Sequence, residues 1–205
     1  MLLSPDLLRR YMLAVCLNVA GVVDERTIFE AAGIDRKTAN AYQRLLTNLL
    51  ALGVVPAWHS NRLSRLIKMP KRYLTDTSLI GAIAGVDAES VLRDGDILGR
   101  LLDNFVLTQL RAEIDTLESL PRIYHLRDKA GRHEVDLVIE FGGAQVVAIE
   151  VKATAAPRKD DARHLAWLRD ELGDRFVAGV VLHTGPRAFA LGEKLVAAPI
   201  STIWA

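Results

Sequence analysis

The chain of 205 residues holds a single cysteine, Cys16. One thiol excludes an internal disulfide and suits a reducing, cytoplasmic setting. Flanked by Ala14, Val15, Leu17 and Val19, it reads as a small core residue. Cys/His clusters are lacking, which leaves no structural zinc site. No apolar run reaches the ~18 residues of a transmembrane helix, so no membrane partner is expected. Asp6, Arg9 and Arg10 interrupt the apolar stretch that a signal peptide would need. Nowhere does G-x-x-x-x-G-K-[ST] occur, so the chain is expected to carry no ATP site of that kind. Repeats and low-complexity segments are missing too. What is present is an ordinary composition, 50% hydrophobic and 25% charged, which supports a globular core and argues against disorder. The length allows one large or two small domains.

Acid is missing from one long stretch. Residues 36–75 contain Arg36, Lys37, Arg44, Arg62, Arg65, Lys68, Lys71 and Arg72 and no Asp or Glu. The segment is therefore +8, while residues 1–35 are −2 (three basic, five acidic) and residues 76–205 are −5 (15 basic, 20 acidic). A basic block on an otherwise acidic chain predicts a polyanionic partner, here DNA. These eight side chains are the candidate nucleic-acid contacts. Around them the periodicity predicts helices over 5–19, 25–32 and 36–52, started by Ser4, Asp24 and Asp35, with Gly53 as the last stop. Strands over 54–58 and 67–74, joined by a basic loop, would follow. Helix, helix, turn, helix and a two-stranded wing is the layout of a winged helix. Such a fold also serves as a docking module, its charges merely solvating it.

Residues 133–154, HEVDLVIEFGGAQVVAIEVKAT, organise the rest. Two alternating runs flank Gly142 and Gly143, the pattern of a hairpin. A loop of three residues, 142–144, sets Phe141 opposite Gln145, Ile139 opposite Val147, Leu137 opposite Ile149 and Val135 opposite Val151. That register gathers an apolar face, with Gly supplying the left-handed loop position. A slip of one residue would turn every side chain over. The other face then places Asp136 opposite Glu150 and Glu134 opposite Lys152. Facing carboxylates repel, and a divalent cation between them relieves this through hard oxygen ligands. Lys152 would lie one step away, able to orient an attacking water or steady a developing negative charge. The plain alternative is a solvated polar face with a Glu134–Lys152 surface pair.

Before the hairpin, residues 76–95 read as a helix and a linker, and Asp96 is expected to start a helix over 97–117. Asp103 lies close to its apolar face, where an acid needs a partner. A strand over 122–126 precedes the hairpin. After it come a helix over 159–172, a near-continuous apolar strand over 176–183 paired in parallel, an edge strand over 195–198 and a closing turn over 200–204. His164 and Trp167 read as packing residues, since no partner for a histidine base is visible.

The order helix, three strands, helix, strand, with Asp136 and then Glu150-Val151-Lys152, resembles the PD-(D/E)xK nuclease superfamily, the restriction-endonuclease-like fold. The resemblance implies an α+β or α/β domain of αβββαβ order that binds magnesium or manganese and cuts phosphodiesters. Asp136, Glu150 and Lys152 would be catalytic, and Asp103, Asp136 and Glu150 would hold the metal. Asp103 stands where the superfamily has Glu, and Val135 where it has Pro. A narrower resemblance rests on KMPKRYLTDTSLIGAIAG, LLDNFVLTQL, HEVDLVIE, AIEVKAT and GVVLHTG. These blocks look like the C-terminal part of a family of prokaryotic AAA+-type ATPases, a winged helix followed by a nuclease-like domain of unknown function. It implies an ATPase module as a partner in the same full-length protein, of which this chain would be a natural fragment or truncation.

The expected organisation is a winged helix over 1–80, a linker over 81–95 and a nuclease-like domain over 96–205. Two functions of different class fit it. One is a metal-dependent DNA nuclease, active or relic, targeted by the basic winged helix. The other is a non-catalytic module that binds nucleic acid or protein and regulates an ATPase.

Overall fold

Capping aspartates start the second and third helices of the computed structural model, which describes residues 4–58, 69–128 and 131–204, while Ser4 before the first makes no side-chain cap bond. Asp24 accepts from the Arg26 amide at 2.7 Å and Asp35 from the Thr38 amide at 2.9 Å, satisfying donors that a helix end leaves open. They open α2 (Glu25–Ala31) and α3 (Arg36–Asn48), after α1 (Pro5–Leu17). The third helix stops at Asn48, before the expected Gly53, because Leu50 turns left-handed (φ 57°). Gly53 instead lies within β1 (Leu52–Val55), antiparallel to β2 (Lys71–Leu74) with Leu52 opposite Leu74 and Val55 opposite Lys71. β1 starts and ends earlier than the expected 54–58, while β2 starts later than the expected 67 and ends, as expected, at 74. The basic loop with Arg62, Arg65 and Lys68 lies outside the described residues.

α4 (Ser78–Ala84), α5 (Ala88–Arg93) and α6 (Gly95–Ile114) follow. Asp94, not Asp96, caps α6: its Oδ1 accepts from the amides of Asp96 and Ile97. Residues 4–55 and 69–108 form one compact unit, and 56–58, 109–128 and 131–204 form a second. Tyr11, Val15, Val19, Ile28, Tyr42 and Leu46 are core residues of the first, and Cys16 is buried with them. Asn104 on α6 is also fully buried there. Its amide accepts from Leu74 N–H at 2.8 Å and donates to Leu74 C=O at 3.0 Å, so one side chain completes the exposed edge of β2.

The second unit is a six-stranded mixed sheet. Its strands are β3 (Arg122–Arg127), β4 (Glu134–Glu140), β5 (Val146–Lys152), β6 (Phe176–His183), β7 (Phe189–Gly192) and β8 (Leu195–Pro199), in the order β3-β4-β5-β6-β8-β7. β3, β4 and β5 run antiparallel in turn, and β5, β6 and β8 run parallel. The strand expected at the edge, β8, is interior. β7, which the sequence reading missed, closes the sheet beyond it. After β5 a 3-10 turn (Lys159–Ala162) leads into α7 (Arg163–Leu172). Leu165, Leu168 and Leu172 of that helix share a buried cluster with Val138, Val146, Ala148, Phe176 and Val181 of the sheet. Among the described residues no helix is long and apolar enough to cross a membrane.

Candidate functional site

The site starts from the hairpin register. The β4–β5 ladder runs from Leu137 opposite Ile149 to Glu140 opposite Val146, with Ile139 opposite Val147. Phe141 N–H donates to Gln145 C=O at 2.9 Å, closing the three-residue loop. The residue in the left-handed region is Ala144 (φ 61°), a position assigned from the sequence to glycine. Both sides of the hairpin are buried. Leu137, Ile139, Ile149 and Val151 lie on one, and Val138, Val146 and Ala148 pack on the other with α7. The polar residues therefore occupy one end of a buried face, not a whole polar face.

A bulge re-aims that end. Tyr124 pairs with Val138 and Leu126 with Val135, so β4 sets two residues, Asp136 and Leu137, against His125 alone. Bulges bend a strand and redirect its side chains. The Asp136 Oδ2 accepts from Val151 N–H at 3.1 Å, taking the place of a ladder bond. Glu134 lies opposite Arg127 on β3 and pairs with it at 3.5 Å, while the Lys152 ammonium donates to Glu150 Oε2 at 3.1 Å.

Glu150 is 3% exposed, and its Oε1 has no hydrogen-bond partner among the described residues. Burial, then the charge of Asp136, push its carboxyl well above the usual range, against the pull of Lys152. Burial would lower Lys152, yet the charges of Glu150 and Asp136 hold the ammonium above its ordinary value. Two carboxyl groups and one ammonium thus meet at the end of β4 and β5. With both acids ionised the group carries net −1, so it favours an added proton or cation. Magnesium is commonly held through one or two carboxylates with waters filling the rest. The orphaned Glu150 Oε1 and the Asp136 carboxylate are donors of the right kind. Among the described residues no group of three or more His, Cys, Asp or Glu is spaced to hold a metal.

Asp103 is half-buried on α6 and belongs to the first unit. The candidate nucleic-acid contacts divide. Arg36, Lys37 and Arg44 are exposed on α3. Lys71 and Arg72 are buried, at 1% and 3% exposure. Arg72 donates to Gln43 at 3.0 Å and to Glu25 at 3.3 Å, so its charge is spent inside the fold. A cleft of about 410 Å3 in the same unit is lined by Asp24, Glu25, Arg26, Arg36 and Arg72 among others. Its mixed charges make it a poor seat for an anion, and all of its lining residues belong to the first unit.

Sequence reasoning missed a second group beside Lys152. The His133 ring stacks on Trp167 of α7 (centroids 4.0 Å, 12°) and meets His164 edge-on at 5.8 Å. Burial, then the charges of Arg163, His133 and Lys152, hold His164 below its ordinary value. The available signal was the spacing of His164 and Trp167, three apart on one helix face.

The family described as "Domain of unknown function (DUF4143)" matches residues 98–203, and "Domain of unknown function (DUF8612)" matches residues 3–90. The former is found in C-terminal regions associated with AAA ATPases. An uncharacterised protein of Mycobacterium bovis and another of Mycobacterium tuberculosis are each 29% identical over 171 residues, covering 83% of this chain and 36% of theirs. The chain thus spans about a third of the length of these relatives.

Proposed function

This chain belongs to the DUF4143 family, and from that footing we propose that it is the C-terminal, DNA-binding portion of an ATPase-associated prokaryotic protein, with a divalent-metal phosphodiesterase site of restriction-endonuclease-like type. The observation that carries the reading is the buried, unpartnered Glu150 Oε1 beside Asp136 and the Lys152 ammonium. Asp136 and Glu150 would hold magnesium or manganese; Asp103, expected from the sequence as a third ligand, belongs to the first unit and is left out of the proposed site. The metal, when bound, would polarise a phosphoryl oxygen and lower the pKa of a bound water. Val151 N–H fixes Asp136 Oδ2 and so orients the other oxygen. Lys152 stays protonated and steadies negative charge developing on the phosphate. The first unit acts as a winged helix that meets the DNA backbone through Arg36, Lys37 and Arg44, and Arg62, Arg65 and Lys68 add to the basic charge of the same stretch of sequence. Cys16, buried, has its thiol pushed up to about 11, which suits an unreactive core residue in the cytoplasm.

A second reading is a non-catalytic module that regulates its ATPase. It is favoured by the Asp136–Val151 bond, which commits one carboxylate oxygen to the fold. Incubating the chain with plasmid DNA and manganese separates the two. Slow nicking that Lys152→Ala abolishes supports the phosphodiesterase. Nicking that survives Lys152→Ala contradicts the assigned site, and DNA retention without any nicking leaves the regulatory module.

A further inference from the structure

The cleft of about 410 Å3 in the first unit has no part in the phosphodiesterase site. Its size is that of a small-molecule pocket, which combines apolar walls with a few placed charges. Val23, Phe29, Met69 and Pro70 supply the walls. Most of the charges are already engaged. Arg26 pairs with Glu30 at 2.6 Å, and Asp24 Oδ1 accepts from the Arg26 amide. Arg72 donates to Gln43 and to Glu25 Oε1. One contact is slack: the Arg36 guanidinium stands 3.9 Å from Glu25 Oε2. That is about 1 Å longer than a charge-assisted hydrogen bond. Both partners reach solvent, with 74% of the Arg36 side chain and 45% of the Glu25 side chain exposed, so opening the pair costs little.

We propose that this cleft binds a small zwitterion, an α-amino acid with an apolar side chain, between Arg36 and Glu25. The carboxylate takes the Arg36 guanidinium, whose fork can hold it through two parallel bonds. The ammonium takes Glu25 Oε2 and the neighbouring Asp24 carboxylate. The side chain lies against Phe29 and Met69. An anion alone would meet Asp24 and Glu25, and a cation alone would meet Arg36 and Arg72. A ligand that carries both signs meets each with its opposite. Arg36 is also the first residue of α3. On the reading of that helix as a DNA contact, a bound amino acid withdraws Arg36 from the phosphate backbone. The cleft is then a regulatory site for DNA binding, and by linkage duplex DNA weakens the amino acid by the same factor.

Titration calorimetry of the full chain, without DNA, tests the site. L-leucine should give a saturable, one-site heat. Leucinamide lacks the carboxylate and N-acetyl-leucine lacks the ammonium. Each should bind at least about tenfold more weakly, the loss expected for one charge-assisted hydrogen bond. Arg36→Gln, at an exposed position, should bind leucine no better than leucinamide. No saturable heat from leucine at millimolar concentration, equal heats from the three compounds, or undiminished leucine binding by Arg36→Gln would overturn the site. A second arm titrates a labelled duplex by fluorescence anisotropy, with and without saturating leucine. Leucine should weaken duplex binding by the wild type and leave that of Arg36→Gln unmoved. Leucine that binds without changing the duplex affinity would overturn the regulatory role. A chain that holds leucine but no duplex would overturn the regulatory role and the DNA reading together, and leave the amino-acid site standing.

Discussion

Glu150 is the residue whose environment departs furthest from what its type prefers. Buried beside Asp136, it binds a proton more readily in the folded chain than in the unfolded one. Over the pH range from its ordinary value upward, the native state therefore holds the extra proton, and stability falls as pH rises, by at most about 1.4 kcal/mol per pH unit. His164, lowered, imposes the opposite slope near its own ordinary value, and Asp35, Asp76 and Asp87, held low by their cap bonds, act only at more acid pH. The clean quantity is thus the stability difference between Glu150→Gln and wild type, since the other groups are common to both. Without metal this difference should grow in favour of the variant between pH 5 and pH 7.5 in urea unfolding. A difference that stays flat would mean that Glu150 titrates normally. Lys152 and Glu150 could be picked out from the sequence because strand alternation fixes which side chains share a face. His133 could not, because its partner Trp167 comes from an element over thirty residues later.

At the scale of elements, the hairpin was the most legible part. Loop length and alternation together leave one register, and it holds from Glu140 opposite Val146 to Leu137 opposite Ile149; the expected pairs Val135–Val151, Asp136–Glu150 and Glu134–Lys152 lie beyond that ladder, past the bulge that β4 makes against β3. The burial of both faces was not legible, because Val138, Val146 and Ala148 alternate with the other apolar set and the run reads as one-sided. β7 was missed for a related reason: Phe189–Gly192 is short and its one buried residue is Leu191, so it has almost no periodicity. Gly179 shows how tightly β6 is held. A Cβ there would sit 2.7 Å from Leu195 and 3.1 Å from Leu165. Gly179→Ala should therefore destabilise the chain by about 1–3 kcal/mol, the usual cost of overpacking, and a loss under 0.5 kcal/mol by thermal unfolding would show that α7 and β8 can move aside. In the first unit, Arg72 is part of the fold. Arg72→Ala should cost about 1.5–3 kcal/mol through its lost bonds to Gln43 and Glu25, read by urea unfolding, and should leave the salt slope of DNA binding unchanged.

For the whole molecule, the chain joins a basic segment to an acidic remainder, and electrostatics predict a salt-dependent hold on nucleic acid. Reversing Arg36, Lys37 and Arg44 to Glu should flatten the log–log salt dependence of duplex binding, by roughly 0.9 for each phosphate contact removed. Affinity independent of salt, or unmoved by the reversal, would make the basic block a docking surface for protein. The order of elements was readable at this scale from the switch between helical and alternating periodicity. The fate of Lys71 and Arg72 was not, because a charge count cannot distinguish a cation on the surface from one bonded inside. The central claim is that Asp136 and Glu150 form a cation site. Its most direct test is titration calorimetry of manganese into wild type and Asp136→Asn at neutral pH. We predict a saturable, one-site heat in the wild type that the variant loses. Equal heats from the two proteins would contradict the account and leave the carboxylate pair as a polar end of the sheet.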